Sequence, residues 1–574
     1  MIDSINTPED KIIETTTMTA SAKSPNNLIT KCEAALESAR RLESHVHAEM
    51  AKAVSKENRI DREQLTTHQS SLHGYAWVAT YVESLKQLLH WAKRLKLENL
   101  LGELEELILE AGFGEYLAQI SGGIPMSQVE IVRLTNFGID EYVKHDFHNT
   151  EVNELIRGGT SPQIHQAIAE LIVDGNFGSL GLNDPELELV KNQFRKFSNE
   201  KIVPHAQEWH INDCLIPNDL ISEMAELGVF GLTLPEKWGG SAAGKIAMCV
   251  VTEELCRGFL GVGSLATRTE IAADLIGEHG TEAQQKRWLS GLVSGEILPT
   301  ALFTEPNTGS DLASVNTRAN RTGDKYKVNG AKTWATHAAR ADLMTLLVRT
   351  NPDHPGHTGI SILLAPKPRG TDSEPFPAAG MNGTEIKVLG YRGMKEFEIG
   401  FDDFEVPTDC LLGQVEGKGF KQLMSGMETA RIQTAARAIG VAQNALELGL
   451  SYALTRHQFG RRIYDFPRVS AKLASMAVEI MICRQLTWAA AREKDAGRRC
   501  DLEAGMAKLL AARVAWSSAD NALQVHGGNG YAVEFPISRV LVDSRILNVF
   551  EGTGEIQAQI ISRRLLDTNR TPAV

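Results

Sequence analysis

The feature that most constrains the fold is a change of period. Between about residues 297 and 406 apolar and polar side chains alternate, Tyr326 and Val328 against Lys325 and Lys327, whereas on either side apolar residues recur every three or four positions. Period two belongs to a strand with one buried face and period 3.6 to an amphipathic helix. A β region between helical regions is therefore predicted. LMTLLVRT (343–350) and GISILLAPK (359–367) read as further strands, and Asn329-Gly330 as the turn of a hairpin. Upstream, residues from about 28 to 173 read as helices, AWVATYVESLKQLLHWAKRL (76–95) among them. A second helical segment starts at Pro185, with Asp184 as its N-cap. From about residue 417 the helical period returns almost to the end. The predicted chain is α+β and multidomain: a disordered start (1–27), an all-α extension (28–183), a helical domain (184–296), a middle β domain (297–412) and a C-terminal helical bundle (413–574).

At 574 residues the chain exceeds what one core serves, and 43% hydrophobic with 23% charged residues fits a soluble globular protein. The net charge of -13 repels nucleic-acid phosphate and anionic membrane in the mean. Neither is an expected partner. Seven scattered cysteines without a C-x-x-C pair favour a reducing compartment. The first residues lack an apolar signal region, and no run of about 18 uncharged apolar residues occurs. A cytoplasmic location without a membrane span is expected. His45 and His47, two apart, lie on different faces of a helix, so no metal site is expected. No H-E-x-x-H, G-x-S-x-G or Walker-type loop supports a hydrolase.

Chemistry gathers in a few short segments. FEGTGEIQ (550–557) places Glu551 directly after the apolar run ILNVF. Dry surroundings disfavour the charged form and raise a carboxyl's pKa, which makes a base useful near neutral pH. The alternative is a helix N-terminal acid held by the helix dipole. FTEPNTGSD (303–311) offers hydroxyls and backbone N–H groups to a pyrophosphate or a flavin edge, or is an ordinary turn. In KTWAT (332–336) Trp334 and Thr336 share a strand face and could cover a flat cofactor, although a core Trp has the same pattern. TRHQFGRR (455–462) and LQVHGGNGY (523–531) add Arg456, Phe459, Gln524 and Gly528. Arginine and glutamine suit phosphate and amide recognition, and the glycines permit close backbone approach.

Taken in order, these segments with LGYRGM (389–394) and FDDFEVP (401–407) resemble the acyl-CoA dehydrogenase flavoprotein family from about residue 184 to the end. The resemblance implies a helical domain, a middle β domain and a four-helix bundle binding FAD. It places Thr304 and Ser310 at the flavin and its pyrophosphate, Trp334 and Thr336 against the isoalloxazine, and Thr553 in the cofactor-binding set. Arg456, Phe459, Gln524 and Gly528 would reach the FAD of a neighbouring subunit. Glu551 falls on the family's catalytic base. Relatives with the base elsewhere carry it just before the arginine matched by Arg431, where this chain has Ala430. Pro467 stands where the family commonly has glutamine.

For the substrate, the resemblance implies an acyl-CoA thioester losing its α-proton to Glu551 and a β-hydride to flavin N5. Arg257 and Arg268 lie in the segment that walls the family's acyl pocket, where an arginine can pair with a second carboxylate. With Arg431 they are the substrate-binding candidates, and a short, branched dicarboxyl acyl-CoA is expected. The alternatives are a short straight- or branched-chain acyl-CoA dehydrogenase or oxidase, and a DNA-binding flavoprotein of the DNA-damage-response type, which the acidic charge and the glutamate in place disfavour. Electron-transferring flavoprotein is the implied acceptor. The extension is expected to cover the surface that pairs two dimers elsewhere in the family, leaving a homodimer, with a tetramer as the alternative.

Overall fold

The protein is described here by a computed structural model covering residues 25–57, 59–354 and 356–567. The expected disordered start lies outside the described residues as far as residue 24, and a helix is already under way at Pro25.

The extension comprises the helices Pro25–Val54, Gln69–Leu97, Glu103–Gly122, Thr150–Gly159 and Pro162–Ile172. Two short hairpins, Ser55–Lys56 with Arg59–Ile60 and Ile124–Pro125 with Ile131–Val132, make it less than wholly helical. Helix Gln69–Leu97 buries Tyr75, Trp77, Val78, Tyr81, Val82, Leu89 and Trp91, more than one face, because it is covered from several sides. It packs on the extension's other long helices and on the bundle helices Pro467–Asp495 and Gly554–Leu565. Polar ties cross the same joint. Arg94 Nη2 donates to Gln485 Oε1 at 2.9 Å, Gln485 Nε2 to the Leu180 carbonyl at 2.9 Å, and Arg513 Nη1 to the Pro125 carbonyl at 3.1 Å.

After an extended connection a helix begins at the cap read from the sequence. Asp184 accepts hydrogen bonds from the N–H groups of Glu186 and Leu187, and Pro185 occupies the first position of Pro185–Phe197. Helices Gly244–Gly258, Leu260–His279 and Glu282–Val293 follow, ending against the sheet.

The sheet has seven strands, in the order Met381–Ile386, Glu396–Pro407, Lys325–Lys332, Arg318–Thr322, Leu343–Arg349 and Pro299–Leu302, with Ile360–Pro366 paired to the far edge of Leu343–Arg349. The two apolar runs read as strands are these last long partners, antiparallel along their lengths. The hairpin turn differs from expectation. Lys325–Lys332 runs straight through Asn329-Gly330, and the chain reverses instead at Gly323-Asp324. The cause lies on the neighbouring strand, which bulges between Phe401 and Phe404. The Asn329 side chain spans that bulge, donating to Asp403 Oδ1 and accepting from the Asp403 N–H, both at 2.9 Å. Trp334 and Thr336 consequently do not share a strand face, since the strand ends at Lys332.

The C-terminal bundle is built on Gly419–Thr455, Pro467–Asp495, Asp501–His526, Pro536–Ile546 and Gly554–Leu565. Its centre is rich in small residues, Ala435, Ala438, Ala442 and Ala445 on one helix and Ala507, Ala511 and Ala515 on another, all buried. Small side chains let the long helices approach closely, and the few large groups between them are conspicuous, Arg437 above all.

Candidate active site

Glu551 sits on the short connection between Pro536–Ile546 and Gly554–Leu565. Its backbone is left-handed, φ 54°, and Gly552 follows at φ 92°. At φ 92° any residue with a Cβ would be strained, so the second position favours glycine. The turn is held from beneath by the bundle. Lys508 Nζ donates to the Gly552 carbonyl at 2.6 Å and Gln557 Nε2 to the Glu551 carbonyl at 3.2 Å. Thr553 is the N-cap of the last helix, accepting from the Ile556 N–H.

The carboxylate of Glu551 is buried among donors. Arg437 Nη2 lies 2.6 Å from Oε2, the Thr434 hydroxyl also donates to Oε2, and Arg268 Nη2 lies 3.3 Å from Oε1. Thr434 and Arg437, three residues apart, share a face of Gly419–Thr455, and Arg268 comes from Leu260–His279. The Tyr391 hydroxyl accepts from Arg268 Nη2 at 3.5 Å and Arg437 Nη1 at 3.4 Å, and its ring meets Phe550 edge-on at 5.4 Å. The Arg437 guanidinium lies over the Phe550 ring, 4.7 Å from its centroid.

This corrects the expected titration of Glu551. Burial does push its carboxyl up, but Arg437 and Arg268, with the hydrogen bonds from Thr434 and Arg437, outweigh it and the net shift is down. The apolar run before Glu551 is real, yet the charge it faces is supplied by other elements. Buried cations are in excess. Lys508 is pushed down to about 7 by burial, with Arg437 and Arg431 lowering it further against Glu551. The Nε atoms of Arg268, Arg431 and Arg437 are all buried without a hydrogen-bond partner. Arg431 faces Asp501 and Glu428, whereas Arg437 and Arg268 share the single carboxylate of Glu551, an arrangement that suits an anionic guest.

The three candidate arginines separate. Arg268 is in the site and Arg431 is buried in the bundle. Arg257 is spent elsewhere: its guanidinium donates to Glu254 at 2.8 Å, Glu447 at 3.1 Å and Asn199 at 2.6 Å, so its role as a carboxylate ligand is withdrawn. The sequence reading missed Thr434, Arg437, Tyr391 and Lys508. Arg437 had a signal, a lone arginine within the small-residue run TAARAIGVAQNA.

Toward the cofactor side, Thr304 is half-buried and Ser310 exposed on a loop clamped by Glu305. That carboxylate accepts from Asn316 N at 2.7 Å, Thr317 N at 2.8 Å and Lys332 Nζ at 2.9 Å. Trp334 stands on a left-handed residue with 55% of its surface exposed, while Thr336, two residues on, is buried and donates to Glu396 Oε2 at 3.0 Å. Burial pushes the Glu396 carboxyl up to about 7 although Thr336 and Arg268 oppose it. An exposed indole on a rigid turn, a clamped hydroxyl-bearing loop and the N-terminus of the last helix at Thr553 fit a flat ring joined to a pyrophosphate. Arg456, Phe459, Gln524 and Gly528 are all exposed, Phe459 by 92%, at or just beyond the ends of bundle helices, Gln524 still within Asp501–His526.

Three family models match the chain in succession: acyl-CoA dehydrogenase N-terminal domain over 184–296, middle domain over 300–404 and C-terminal domain over 417–566. The chain belongs to the acyl-CoA dehydrogenase family. It shares the family's fold and its dependence on FAD. It is 56% identical over 545 residues to the (2S)-methylsuccinyl-CoA dehydrogenase of Cereibacter sphaeroides, a match covering 94% of this chain and 98% of that protein, the extension included. Among solved structures, butyryl-CoA dehydrogenase of Megasphaera elsdenii is 31% identical with a TM-score of 0.63, covering 67% of this chain and 98% of its own. A glutaryl-coenzyme A dehydrogenase in complex with glutaryl-CoA is 31% identical with a TM-score of 0.62, covering 66% and 94%. No helix among the described residues is long and apolar enough to cross a membrane.

Proposed function

We propose that this acyl-CoA dehydrogenase oxidises (2S)-methylsuccinyl-CoA to mesaconyl-CoA, with Glu551 as the base. The observation that carries the reading is the pair of buried guanidiniums, Arg437 and Arg268, facing the base carboxylate. Two guanidiniums share the one carboxylate of Glu551, and a second carboxylate on the acyl group supplies the charge that matches the other. Identity of 56% across nearly the whole chain to a protein of that name supports the same substrate.

In this reading the carboxylate of the acyl group is anchored by Arg437 and Arg268, which fixes Cα beside Glu551. Glu551 removes the α-proton, and its backbone N–H, on the left-handed turn, donates to the thioester oxygen where negative charge develops. FAD, when bound, supplies the two-electron acceptor for the hydrogen leaving Cβ, so that the α,β double bond forms. Trp334, Thr336, Thr304, Ser310 and Thr553 would hold it, with Arg456, Phe459, Gln524 and Gly528 reaching the cofactor of a second copy. Electron-transferring flavoprotein is the acceptor this reading assigns. Because the extension packs on Pro467–Asp495 and Gly554–Leu565, it covers that face of the bundle and favours a homodimer; light scattering showing a tetramer would remove that part.

Anaerobic titration of the purified holoenzyme with methylsuccinyl-CoA, succinyl-CoA and butyryl-CoA, followed by flavin bleaching, tests the assignment. Methylsuccinyl-CoA is expected to reduce the flavin fastest. Faster reduction by butyryl-CoA would refute the dicarboxyl reading.

A further inference from the structure

Glu551 is bound by the same groups that the substrate's second carboxylate needs. Oε2 takes Arg437 and Thr434 and Oε1 takes Arg268. Among the described residues Glu551 is the one carboxylate hydrogen-bonded to either Arg437 or Arg268. A carboxylate saturated in this way is a poor base, and its burial does not rescue it. If Glu551 turns away toward a substrate, two buried guanidiniums lose their counter-charge, which is costly unless another anion replaces it.

We propose that Glu551 and the acyl group's distal carboxylate compete for one seat, formed by Arg437, Arg268 and Thr434, so that a dicarboxyl substrate releases its own base. The proposal rests on the reading of Glu551 as the base. The chemistry of a succinyl skeleton fits the exchange. Its free carboxylate carbon is two bonds, about 2.5 Å, from the α-carbon, so a base leaving the carboxylate's seat has only a short way to travel to the α-proton. The connection that carries Glu551 can change course at two adjacent left-handed residues, Glu551 and Gly552, while Lys508 and Gln557 hold its carbonyls. An acyl-CoA without the second carboxylate leaves the base engaged. Arg437, Arg268 and Thr434 thus act as positioning residues for Glu551 as well as ligands of the substrate, and discrimination is exerted on the chemical step.

Two measurements test this. In the first, wild type, Arg437→Met and Arg437→Lys holoenzymes are assayed with methylsuccinyl-CoA and with 2-methylbutyryl-CoA, in which a methyl group replaces the carboxylate. Arg437→Met is expected to reduce kcat/KM for methylsuccinyl-CoA by at least about 100-fold while raising kcat for 2-methylbutyryl-CoA by about tenfold, with Arg437→Lys intermediate. A fall in both alike would overturn the exchange, since a merely structural residue does that. In the second, which does not depend on the arginine variants folding, Glu551→Gln and wild type are titrated with mesaconyl-CoA and with 2-methylcrotonyl-CoA, following the flavin spectrum. Removing the competing charge is expected to tighten mesaconyl-CoA at least about fivefold and to leave 2-methylcrotonyl-CoA nearly unchanged. Equal binding of mesaconyl-CoA to both proteins would overturn the exchange. The base assignment fails separately, if Glu551→Gln is still reduced by methylsuccinyl-CoA.

Discussion

Replacing Arg257 by methionine separates two roles that an arginine in the acyl-pocket segment can have. The substitution removes charge-assisted hydrogen bonds to Glu254 (2.8 Å), Glu447 (3.1 Å) and Asn199 (2.6 Å) and keeps most of the buried stem volume. Breaking one side of a buried ion pair costs about 3–5 kcal/mol when the remaining charge has no other partner. Here Arg195 still reaches Glu254 at 3.4 Å and Glu447 at 2.8 Å, so roughly half of that cost is expected, about 1.5–2.5 kcal/mol. At about 2–4 °C per kcal/mol, the usual conversion for domains of about 150–250 residues, that corresponds to a fall of roughly 3–10 °C in the unfolding midpoint. The assay combines thermal unfolding by circular dichroism with kcat/KM for methylsuccinyl-CoA and 2-methylbutyryl-CoA. The midpoint should fall while the ratio of the two specificity constants stays within about threefold of wild type. An unmoved midpoint with a ratio lowered more than about tenfold would refute the reasoning and return Arg257 to the substrate.

Glu551→Gln should bind methylsuccinyl-CoA yet slow flavin bleaching by at least about 1,000-fold, the usual weight of a positioned base; near-normal reduction refutes the assignment. Lys508, lowered to about 7 in the folded protein, binds fewer protons there than in the unfolded chain between pH 7 and its ordinary value. Its contribution to stability therefore rises with pH across that window, and in urea unfolding Lys508→Met should gain less than wild type between pH 7 and 9, by about 2 kcal/mol. Glu396, raised to about 7, has the opposite slope, holding an extra proton in the fold between its unfolded value and 7. Glu396→Gln should flatten the stability loss seen between pH 5 and 7; an unchanged slope in the same assay would exclude it. Phe459→Glu, at a side chain 92% exposed, should leave thermal stability intact but lower flavin retention and the mass seen by light scattering.

What was legible in the sequence followed from local rules that tertiary packing did not contest. The strands Leu343–Arg349 and Ile360–Pro366 pair over their full length, and Asp184 with Pro185 starts its helix because a cap needs only its next few residues. The misreadings came from partners far along the chain. Asn329-Gly330 carries the composition of a tight turn, but its amide is taken by Asp403, 74 residues away. The dry neighbourhood of Glu551 could be seen in ILNVF, whereas Arg437 and Arg268 arrive from 114 and 283 residues away and reverse the shift. Arg257 and Arg268 looked alike as isolated arginines in one helical stretch. The approach of Glu254, Glu447 and Asn199 to one and of Glu551 to the other tells them apart.

The joint between extension and bundle has a consequence for how the chain comes apart. The family models begin at residue 184, yet the apolar side chains on both sides of it belong to one continuous core. Trp91, Leu88 and Phe113 of the extension share that core with Ile482 and Leu486 of the bundle. Segments so joined gain and lose their protection together. Amides of Gln69–Leu97 and Pro467–Asp495 should exchange with solvent as one cooperative unit, although nearly four hundred residues separate them. The extension is then a part of the enzyme's cooperative core as much as of its surface, and trimming it would loosen Gly554–Leu565, the helix that follows Glu551.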